Sequence, residues 1–333
     1  MTPRRPTCAA SVHPSGRTTA ALTALTALVA GGLAAGTTQA AAEPADPCAQ
    51  ATSSVLVPHQ TPVVDWSENL AYDRAGNLWV TRSLTNTVER YDPAGNRTAS
   101  VDVASPGAVR LGPDGLMYVN AGNSPIGMIT GSRDGEILRF DPTAPEPTPE
   151  PFASGFGMPN GLAFDADGNL YVGDSSTGVV KVLPDGTIDA EWTTRAPQLF
   201  DADGLVNGAG LVNGAEFNGV EVVGDAVYVA ITASVSGRVL RIPLDEPEAA
   251  TVAVDLTTGP LNLPTFPDDL TTGSDGALYV TTAAGQLIRV DPATNQYCTV
   301  LTGQPMTAVA AIPGAAGDLA VTTELGDVLR VHF

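Results

Sequence analysis

Four side chains that could bind a metal ion through oxygen occupy the same place in a repeated sequence pattern. Each is an acid or an amide at the start of a short apolar segment, and an aromatic residue follows eleven positions later, or ten in one case. The four pairs are Glu68 with Trp79, Asn160 with Tyr171, Asn218 with Tyr228, and Asp268 with Tyr279. Equivalent positions in a closed repeat architecture lie at one radius, so these side chains are expected to converge on one axis.

Two carboxylates and two amide carbonyls form a hard, all-oxygen ligand set. The set predicts one divalent cation, with Ca²⁺ preferred and Mg²⁺, Mn²⁺ or Zn²⁺ as alternatives. Taken singly, Asn160 and Asn218 each precede a glycine and are more typical of turns than of metal sites. Their shared repeat position favours the metal, since four polar groups around an empty channel would be costly to desolvate. The other two repeats have Gly107 and Val309 at this place, and neither can be a ligand.

The elements that position these residues are short β-strands. Similar units begin near residues 68, 107, 160, 218, 268 and 309, and Asp-Gly or Asn-containing turns separate their β-branched and aromatic runs. The unit at 160–192 indicates four strands, the last from Ile188 to Trp192. We therefore predict an all-β, six-bladed propeller. Its last unit ends at Phe333 after three strands, and Ser53 to Val57 is expected to supply the missing strand and close the ring.

The N-terminal segment has the layout of an export signal. Arg4, Arg5 and Arg17 precede an apolar run at 20–35 and small residues at 38–42. This layout predicts a secretory signal in residues 1–42, cleaved after Ala40 or Ala42, and a single propeller domain in residues 43–333. The expected product is secreted and monomeric. No later run approaches the roughly 20 apolar residues of a membrane span, so no membrane association is expected.

Charge and cysteine content restrict the partners and the compartment. The chain has 16 basic and 36 acidic residues, and three of the basic ones lie in the predicted signal, so the remaining charge is 13 minus 36, or −23. Such a surface repels phosphate backbones, and no nucleic-acid partner is expected. Cys48 and Cys298 remain after signal removal, and in an oxidising compartment they are predicted to form a disulfide. Two unpaired thiols are the alternative.

Taken together, Glu68 before Trp79, Pro159-Asn160-Gly161, Asn218-Gly219 and Pro267-Asp268 resemble the gluconolactonase, or senescence-marker-protein-30, family. That family belongs to a superfamily of six-bladed metal-dependent hydrolases that includes paraoxonases and diisopropyl-fluorophosphatases. The resemblance covers nearly all of the predicted mature chain as a repeat pattern, but its specificity rests on the four ligand positions.

The resemblance implies ligand roles for Glu68, Asn218 and Asp268. It implies that Asn160 completes the coordination sphere or contacts the substrate, and Asn69 beside Glu68 is a second candidate substrate contact. One departure is Asp269, which stands where gluconolactonases usually have glycine after the metal-binding Asp. At this place a second acidic or amide ligand, as in paraoxonases, is an equal alternative.

The implied reaction is hydrolysis of a small-molecule lactone or a related ester. Asp268 is the candidate base or nucleophile, and Asp269 is a second catalytic candidate. A Ser-His-Asp triad would need His59 or His332 in the channel, and Lys181, the only lysine, is predicted on an outer strand. Two alternatives stay open because fold alone does not fix function: a non-catalytic binding protein of the NHL propeller type, or an enzyme of the streptogramin-lyase type. The connection at 201–215, with its doubled Leu-Val-Asn-Gly, is predicted to overhang the channel mouth.

Overall fold

The computed structural model describes residue 46, residues 48–199 and residues 216–333. These residues form six antiparallel sheets arranged as the blades of a propeller, so the predicted all-β, six-bladed architecture is confirmed. The predicted signal peptide in residues 1–42 and the connection at 201–215 lie outside the described residues.

The strand bounds follow the predicted repeat units. Strand β1 (Thr52–Val57) precedes blade 1, which contains β2 (Ser67–Tyr72), β3 (Leu78–Arg82), β4 (Thr87–Tyr91) and β5 (Arg97–Asp102). Blade 2 contains β6 (Val109–Leu111), β7 (Met117–Ala121), β8 (Gly135–Phe140) and β9 (Glu150–Phe156), and blade 3 contains β10 (Pro159–Phe164), β11 (Leu170–Asp174) and β12 (Gly178–Val182). Blade 4 contains β13 (Phe217–Val223), β14 (Ala226–Ile231), β15 (Arg238–Pro243) and β16 (Thr251–Asp255), and a small hairpin of β17 (Thr257–Thr258) and β18 (Leu263–Pro264) follows it. Blade 5 contains β19 (Pro267–Thr272), β20 (Leu278–Thr282), β21 (Gln286–Val290) and β22 (Tyr297–Thr302), and blade 6 contains β23 (Met306–Ala311), β24 (Leu319–Thr323) and β25 (Val328–His332).

The inner strands of successive blades contact one another around the ring, and β2 also contacts β23. Because neighbouring strands are antiparallel, three kinds of segment meet on one face of the ring. These are the starts of the inner strands, the loops after the second strands and the connections between blades. We call this the mouth face. All four predicted metal ligands belong to it.

The aromatic residues that mark each repeat lie in the core between blades. Trp79, Tyr171, Tyr228 and Tyr279 are all buried, and the Trp79 ring lies 4.9 Å from that of Phe140 in blade 2. Burial of such rings is a main source of stability in a β-fold. The shared spacing of the repeats is therefore set by packing, whereas the acid or amide at the start of each is free to serve another role.

Both chain ends close the ring, as predicted. Strand β1 pairs antiparallel with β25 from Thr52 opposite His332 to Val57 opposite Val328, and it becomes the outermost strand of blade 6. The predicted Cys48–Cys298 disulfide is present, with its Cα atoms 5.9 Å apart. It ties the segment before β1 to blade 5.

Deleting residues 51–58 is expected to lower the free energy of unfolding of the whole propeller by more than about 3 kcal/mol. The deletion removes buried Val57, whose burial contributes about 1.5–3 kcal/mol, and exposes the unpaired edge of β25. Denaturant unfolding of the mature protein measures the loss. Because the deletion also displaces Cys48, a double Cys48→Ser, Cys298→Ser variant is the matched control. An unfolding midpoint equal to that of this control would contradict the closure role of β1.

Blade 3 differs from its prediction, since residues 188–192 do not form a fourth strand. Ile188 makes one bridge to Val182, and a helix, α2 (Ala190–Arg195), follows. The Asp189 carboxylate accepts from the Trp192 backbone N–H and caps this helix, and the Trp192 ring is buried 5.2 Å from the Tyr171 ring. The other helices within residues 48–199 and 216–333 are α1 (Pro125–Thr130) and a 3₁₀ turn at Pro247–Ala249. None of the helices in the described ranges is long and apolar enough to cross a bilayer.

Candidate functional site

A β-bulge at the start of the inner strand creates the site. In blade 1, Ser67 pairs with Arg82 and Leu70 with Val80, so two inner-strand residues oppose one residue of β3. The same register shift occurs at the start of β10, β13, β19 and β23. A bulge re-aims side chains relative to a regular strand. It gives each of these blades two adjacent positions at the mouth of the channel.

We call these the first and second bulge positions. The first is occupied in blades 1, 3, 4 and 5 by the four predicted ligands, Glu68, Asn160, Asn218 and Asp268. The second is occupied in the same blades by Asn69, Gly161, Gly219 and Asp269.

The register corrects the residue assigned to blade 6. Thr307, not Val309, occupies the first bulge position, because Met306 pairs with Thr323 and Val309 already pairs with Val321. Val309 is part of the buried core. The Thr307 hydroxyl donates to the Ser67 carbonyl of the adjacent blade, which makes it a link between inner strands.

Glycine at the second position has a steric cause. A Cβ at Gly161 would lie 2.3 Å from the Asn218 carbonyl oxygen, and a Cβ at Gly219 would lie 2.4 Å from the Asp269 Cα. No larger residue fits between inner strands this close together. The Asn-Gly pairs at 160–161 and 218–219 thus belong to strands, and their glycines permit the close approach of neighbouring blades.

Three of the four first-position side chains have polar contacts at the mouth. Glu68 accepts hydrogen bonds from the Trp66 indole N–H (2.7 Å) and from the Asn123 amide (3.0 Å). The Asn218 amide donates to Asp268 Oδ1 and to the Thr232 hydroxyl. The structure therefore brings Asn218 and Asp268 into direct contact.

Asn160 presents a different arrangement. It is only 6% exposed, yet its side-chain amide forms no hydrogen bond with any described residue. The backbone carbonyl of Asn160 accepts hydrogen bonds from the Ala108 N–H (2.7 Å) and from the Asn120 side-chain amide, and these bonds fix the Asn160 backbone to blade 2. The backbone of Asn160 is thus held in place, while its side-chain amide remains unpaired among the described residues.

A second polar layer, which we call the Arg110 layer, connects blades on different sides of the channel. Arg110 of blade 2 donates to Asn69 Oδ1 of blade 1 (2.8 Å) and to Asp269 Oδ2 of blade 5 (3.3 Å). Asn69 also donates to the same Asp269 oxygen at 3.0 Å. Blades 2 and 5 are opposite one another in a ring of six, so this ion pair crosses the channel. Asp269 Oδ1 is buried and has no hydrogen-bond partner among the described residues.

The carboxylates of the site crowd one another. Burial raises the pKa of Asp268 well above its ordinary value, and the charges of Glu68 and Asp269 raise it further. Burial also raises the pKa of Glu68, against the effect of its two hydrogen-bond donors. Burial raises the pKa of Asp269 in spite of the opposing charge of Arg110. A site with this excess of negative charge favours a cation.

The donor set fits a hard divalent cation. Its atoms are carboxylate and amide oxygens, and the ends of the Asn218 and Asp268 side chains already converge. Among the described residues, no group of three or more His, Cys, Asp or Glu side chains is arranged to hold a metal. The candidate set therefore depends on its amide members, Asn160 and Asn218, as well as on its two acids.

His59, His332 and Lys181 contact carboxylates that are not among the candidate ligands. His59 Nδ1 is 2.8 Å from Asp327, and His332 Nδ1 is 3.0 Å from Asp318. Neither histidine contacts a serine hydroxyl in the part of the chain that the structure describes. Lys181 pairs with Asp189 at 3.4 Å on β12. These contacts give no support to a serine triad or to Schiff-base chemistry.

Sequence reasoning missed the residues that hold the bulges, and in the Arg110 layer it named Asn69 and Asp269 but missed Arg110. Thr81, Thr281 and Thr322 each accept, through their hydroxyl, the backbone N–H of the second bulge position in their blade. For Thr81 and Thr281 the available signal was a threonine two residues after the repeat aromatic. The signal for Arg110 was a charged residue in a predicted inner strand.

Comparison with known structures supports the fold, whereas comparison of sequences finds no family model and one partial match among the curated proteins. No protein-family model matches the chain. One curated relative is strictosidine synthase-like protein 3 from Arabidopsis thaliana, which is 26% identical over 192 residues. The match covers 51% of this chain and 46% of that protein, so it spans about half the length of each.

Solved structures of proteins with several activities have a similar fold. A gluconolactonase from Xanthomonas campestris matches with a TM-score of 0.59 and 15% identity over 84% of this chain and 89% of its own. A candidate oxidoreductase (glucose dehydrogenase) from Thermus thermophilus gives 0.60 and 16%, over 85% and 100%. Virginiamycin B lyase from Staphylococcus aureus, solved as a catalytically inactive histidine-to-alanine variant with quinupristin, gives 0.55 and 12%, over 85% and 100%. The resemblance to gluconolactonase-like propellers is confirmed at the level of the fold.

Proposed function

We propose that this chain is a metal-dependent hydrolase that opens a lactone or cleaves a related ester at the mouth of its central channel. The observation that carries the proposal is the placement of two acids and two amides at one bulge position of four blades. Asn218 and Asp268 are in direct contact there. A binding platform built on the same blades would not need this arrangement.

In this proposal Glu68, Asn218 and Asp268 hold the cation, and Asn160 completes its coordination or contacts the substrate. When bound, the cation would polarise the substrate carbonyl and make water more acidic. The indole of Trp66 and the amide of Asn123 orient the Glu68 carboxylate. Such supporting hydrogen bonds fix ligand geometry in metal sites.

Asp268 is the proposed general base. The Asn218 amide donates a hydrogen bond to Asp268 Oδ1. Asp268 Oδ2 forms no hydrogen bond with a described residue and can take a proton from the attacking water. Asp269 is only 2% exposed, and its Oδ2 is engaged by Arg110 and Asn69. These contacts favour a supporting role for Asp269 and Asn69. The unused amide of Asn160 is the better candidate for substrate contact.

The alternatives have less support. The virginiamycin B lyase was inactivated by replacing a histidine, whereas His59 and His332 of this chain contact Asp327 and Asp318 and none of the candidate ligands. We further propose that the protein is exported, since the Cys48–Cys298 disulfide suits an oxidising compartment.

Removal of the cation is expected to abolish turnover and tests the proposal directly. The purified mature protein, loaded with Ca²⁺, is assayed against a panel of lactones, aryl esters and phosphotriesters. EDTA treatment, with metal loss confirmed by elemental analysis, is expected to lower the rate on any hydrolysed substrate at least about 10²-fold, because it removes electrostatic activation of the carbonyl. Restoring Ca²⁺ is the control. Tight Ca²⁺ binding with no hydrolysis of any substrate would favour the binding platform, and turnover that survives metal removal would contradict the mechanism.

A further inference from the structure

Six positions on the mouth face lie in the connections that lead into the inner strands. They precede the first bulge position by two residues in five blades, and in blade 2 they precede Gly107 by two; we call them the collar: Trp66, Ser105, Met158, Glu216, Phe266 and Pro305. In blades 2 to 6 the carbonyl of the collar residue accepts an N–H from the loop after the second strand of its own blade, at 2.9–3.2 Å. These five collar positions are therefore structurally equivalent.

Four of the six collar residues are apolar, and three of these have large side chains. Trp66 touches the site itself, because its indole donates to Glu68. Phe266 is 44% exposed and lies two residues before Asp268. Met158 is half-buried, and its backbone is bonded on both sides to blade 3, at Asp174 and Ser175. Of these three side chains, Phe266 is exposed and Trp66 and Met158 are partly buried, so each leaves some apolar surface accessible.

The backbone of Phe266 has an unusual conformation for a large apolar residue. Its φ is +57°, a left-handed conformation that is uncommon for bulky residues. Its carbonyl accepts the Ala283 N–H at 3.0 Å, so the strained conformation is held by blade 5. Ser105 and Glu216, at the corresponding collar positions, also have positive φ, so this backbone conformation belongs to the connection between blades. An asparagine or glycine would relieve the strain, yet a large apolar side chain stands there.

The loops around the collar share its character. Among the described residues, thirteen large apolar side chains are exposed, and all except Val55, Tyr297 and Phe333 lie in loops or connections of the mouth face. That leaves ten on the face that carries the candidate site. Most of the exposed large apolar side chains of the described residues therefore lie on the same face as the candidate site.

We infer that the collar binds an apolar acyl, alkyl or aryl group of the substrate, and that the preferred substrate is an apolar lactone or ester instead of a polyhydroxylated sugar lactone. This inference rests on the proposed function. A carbonyl at Asp268 would place its substituent between Trp66, Met158 and Phe266, where burial from water favours methylene and aromatic groups. A sugar ring at the same place would meet three large apolar side chains in place of hydrogen-bonding partners.

The test is a homologous series of γ-lactones with methyl, butyl and octyl side chains, together with glucono-1,5-lactone, assayed with the Ca²⁺-loaded mature protein. We expect kcat/KM to rise roughly two- to fourfold per methylene until the collar is filled. Phe266→Asn, which suits the left-handed backbone, is expected to lower the octyl-to-methyl ratio of kcat/KM at least about fivefold. Met158→Gln, close to methionine in size, should lower the same ratio and serves if Phe266→Asn fails to fold.

The control is Val55→Thr, an exposed position on β1 outside the mouth face, which should leave the ratio unchanged. If the enzyme hydrolyses glucono-1,5-lactone better than the octyl lactone, or if the ratio survives both collar substitutions, the inference is wrong while the proposed function stands. If no lactone or ester is hydrolysed, the proposed function fails first. If the collar substitutions reduce binding to phosphatidylcholine vesicles and leave the chain-length dependence intact, the apolar face serves a lipid interface and the inference is also wrong.

Discussion

Asp268→Asn is expected to lower kcat/KM for the hydrolysed lactone by a factor of about 10² to 10⁴, because the variant keeps the shape of the side chain and loses its ability to accept a proton. Glu68→Gln is expected to reduce the bound Ca²⁺, since an amide replaces a charged oxygen ligand. Initial rates at saturating Ca²⁺ measure the first effect, and elemental analysis after dialysis measures the second.

Asp185→Asn is the matched control. Asp185 lies in an exposed turn of blade 3 and accepts the Thr187 N–H at 2.9 Å, so its substitution should change neither rate nor metal content. Wild-type activity in Asp268→Asn would exclude Asp268 as the base. Stoichiometric metal in a double variant lacking both the Glu68 and Asp268 carboxylates would exclude the proposed ligand set.

Sequence reasoning could predict the blades because their determinants are local and repeated. The spacing from Glu68 to Trp79 recurs at Asp268 and Tyr279, and the three strands of the last unit require a fourth from elsewhere. Ring closure by β1 follows from this count and is confirmed by its pairing with β25.

The remaining features depend on register and on contacts between distant blades. In blade 6 the first bulge position is Thr307, whereas Val309 pairs regularly with Val321, and strand periodicity alone cannot reveal the inserted residue. Residues 188–192 carry a β-like sequence, but the Asp189 cap and burial of Trp192 stabilise a helix. The partner of Arg110 is 159 residues away in the opposite blade, so only the closed ring brings the pair together.

This ion pair leads to the second large expected effect, a loss of stability of about 3–5 kcal/mol in Arg110→Met. The substitution removes the guanidinium that pairs with the Asp269 carboxylate, and the Asp269 side chain is only 3% exposed. An uncompensated buried charge has a cost of this size. Methionine retains much of the apolar volume of the arginine stem, so loss of packing contributes little. Chemical denaturation of the metal-free protein at neutral pH measures the change and separates it from Ca²⁺ binding.

Two comparisons make this prediction specific. Arg241→Met removes an exposed pair with Asp225, whose side chain is 85% exposed, and should have a cost of no more than about 1 kcal/mol. Adding Asp269→Asn to Arg110→Met removes the unpaired charge and should restore a large part of the lost stability, because a neutral amide needs no counter-ion. If Arg110→Met destabilises no more than Arg241→Met, the Arg110 layer does not hold opposite blades together. If the second substitution adds to the loss, the cause is packing and not the buried charge of Asp269.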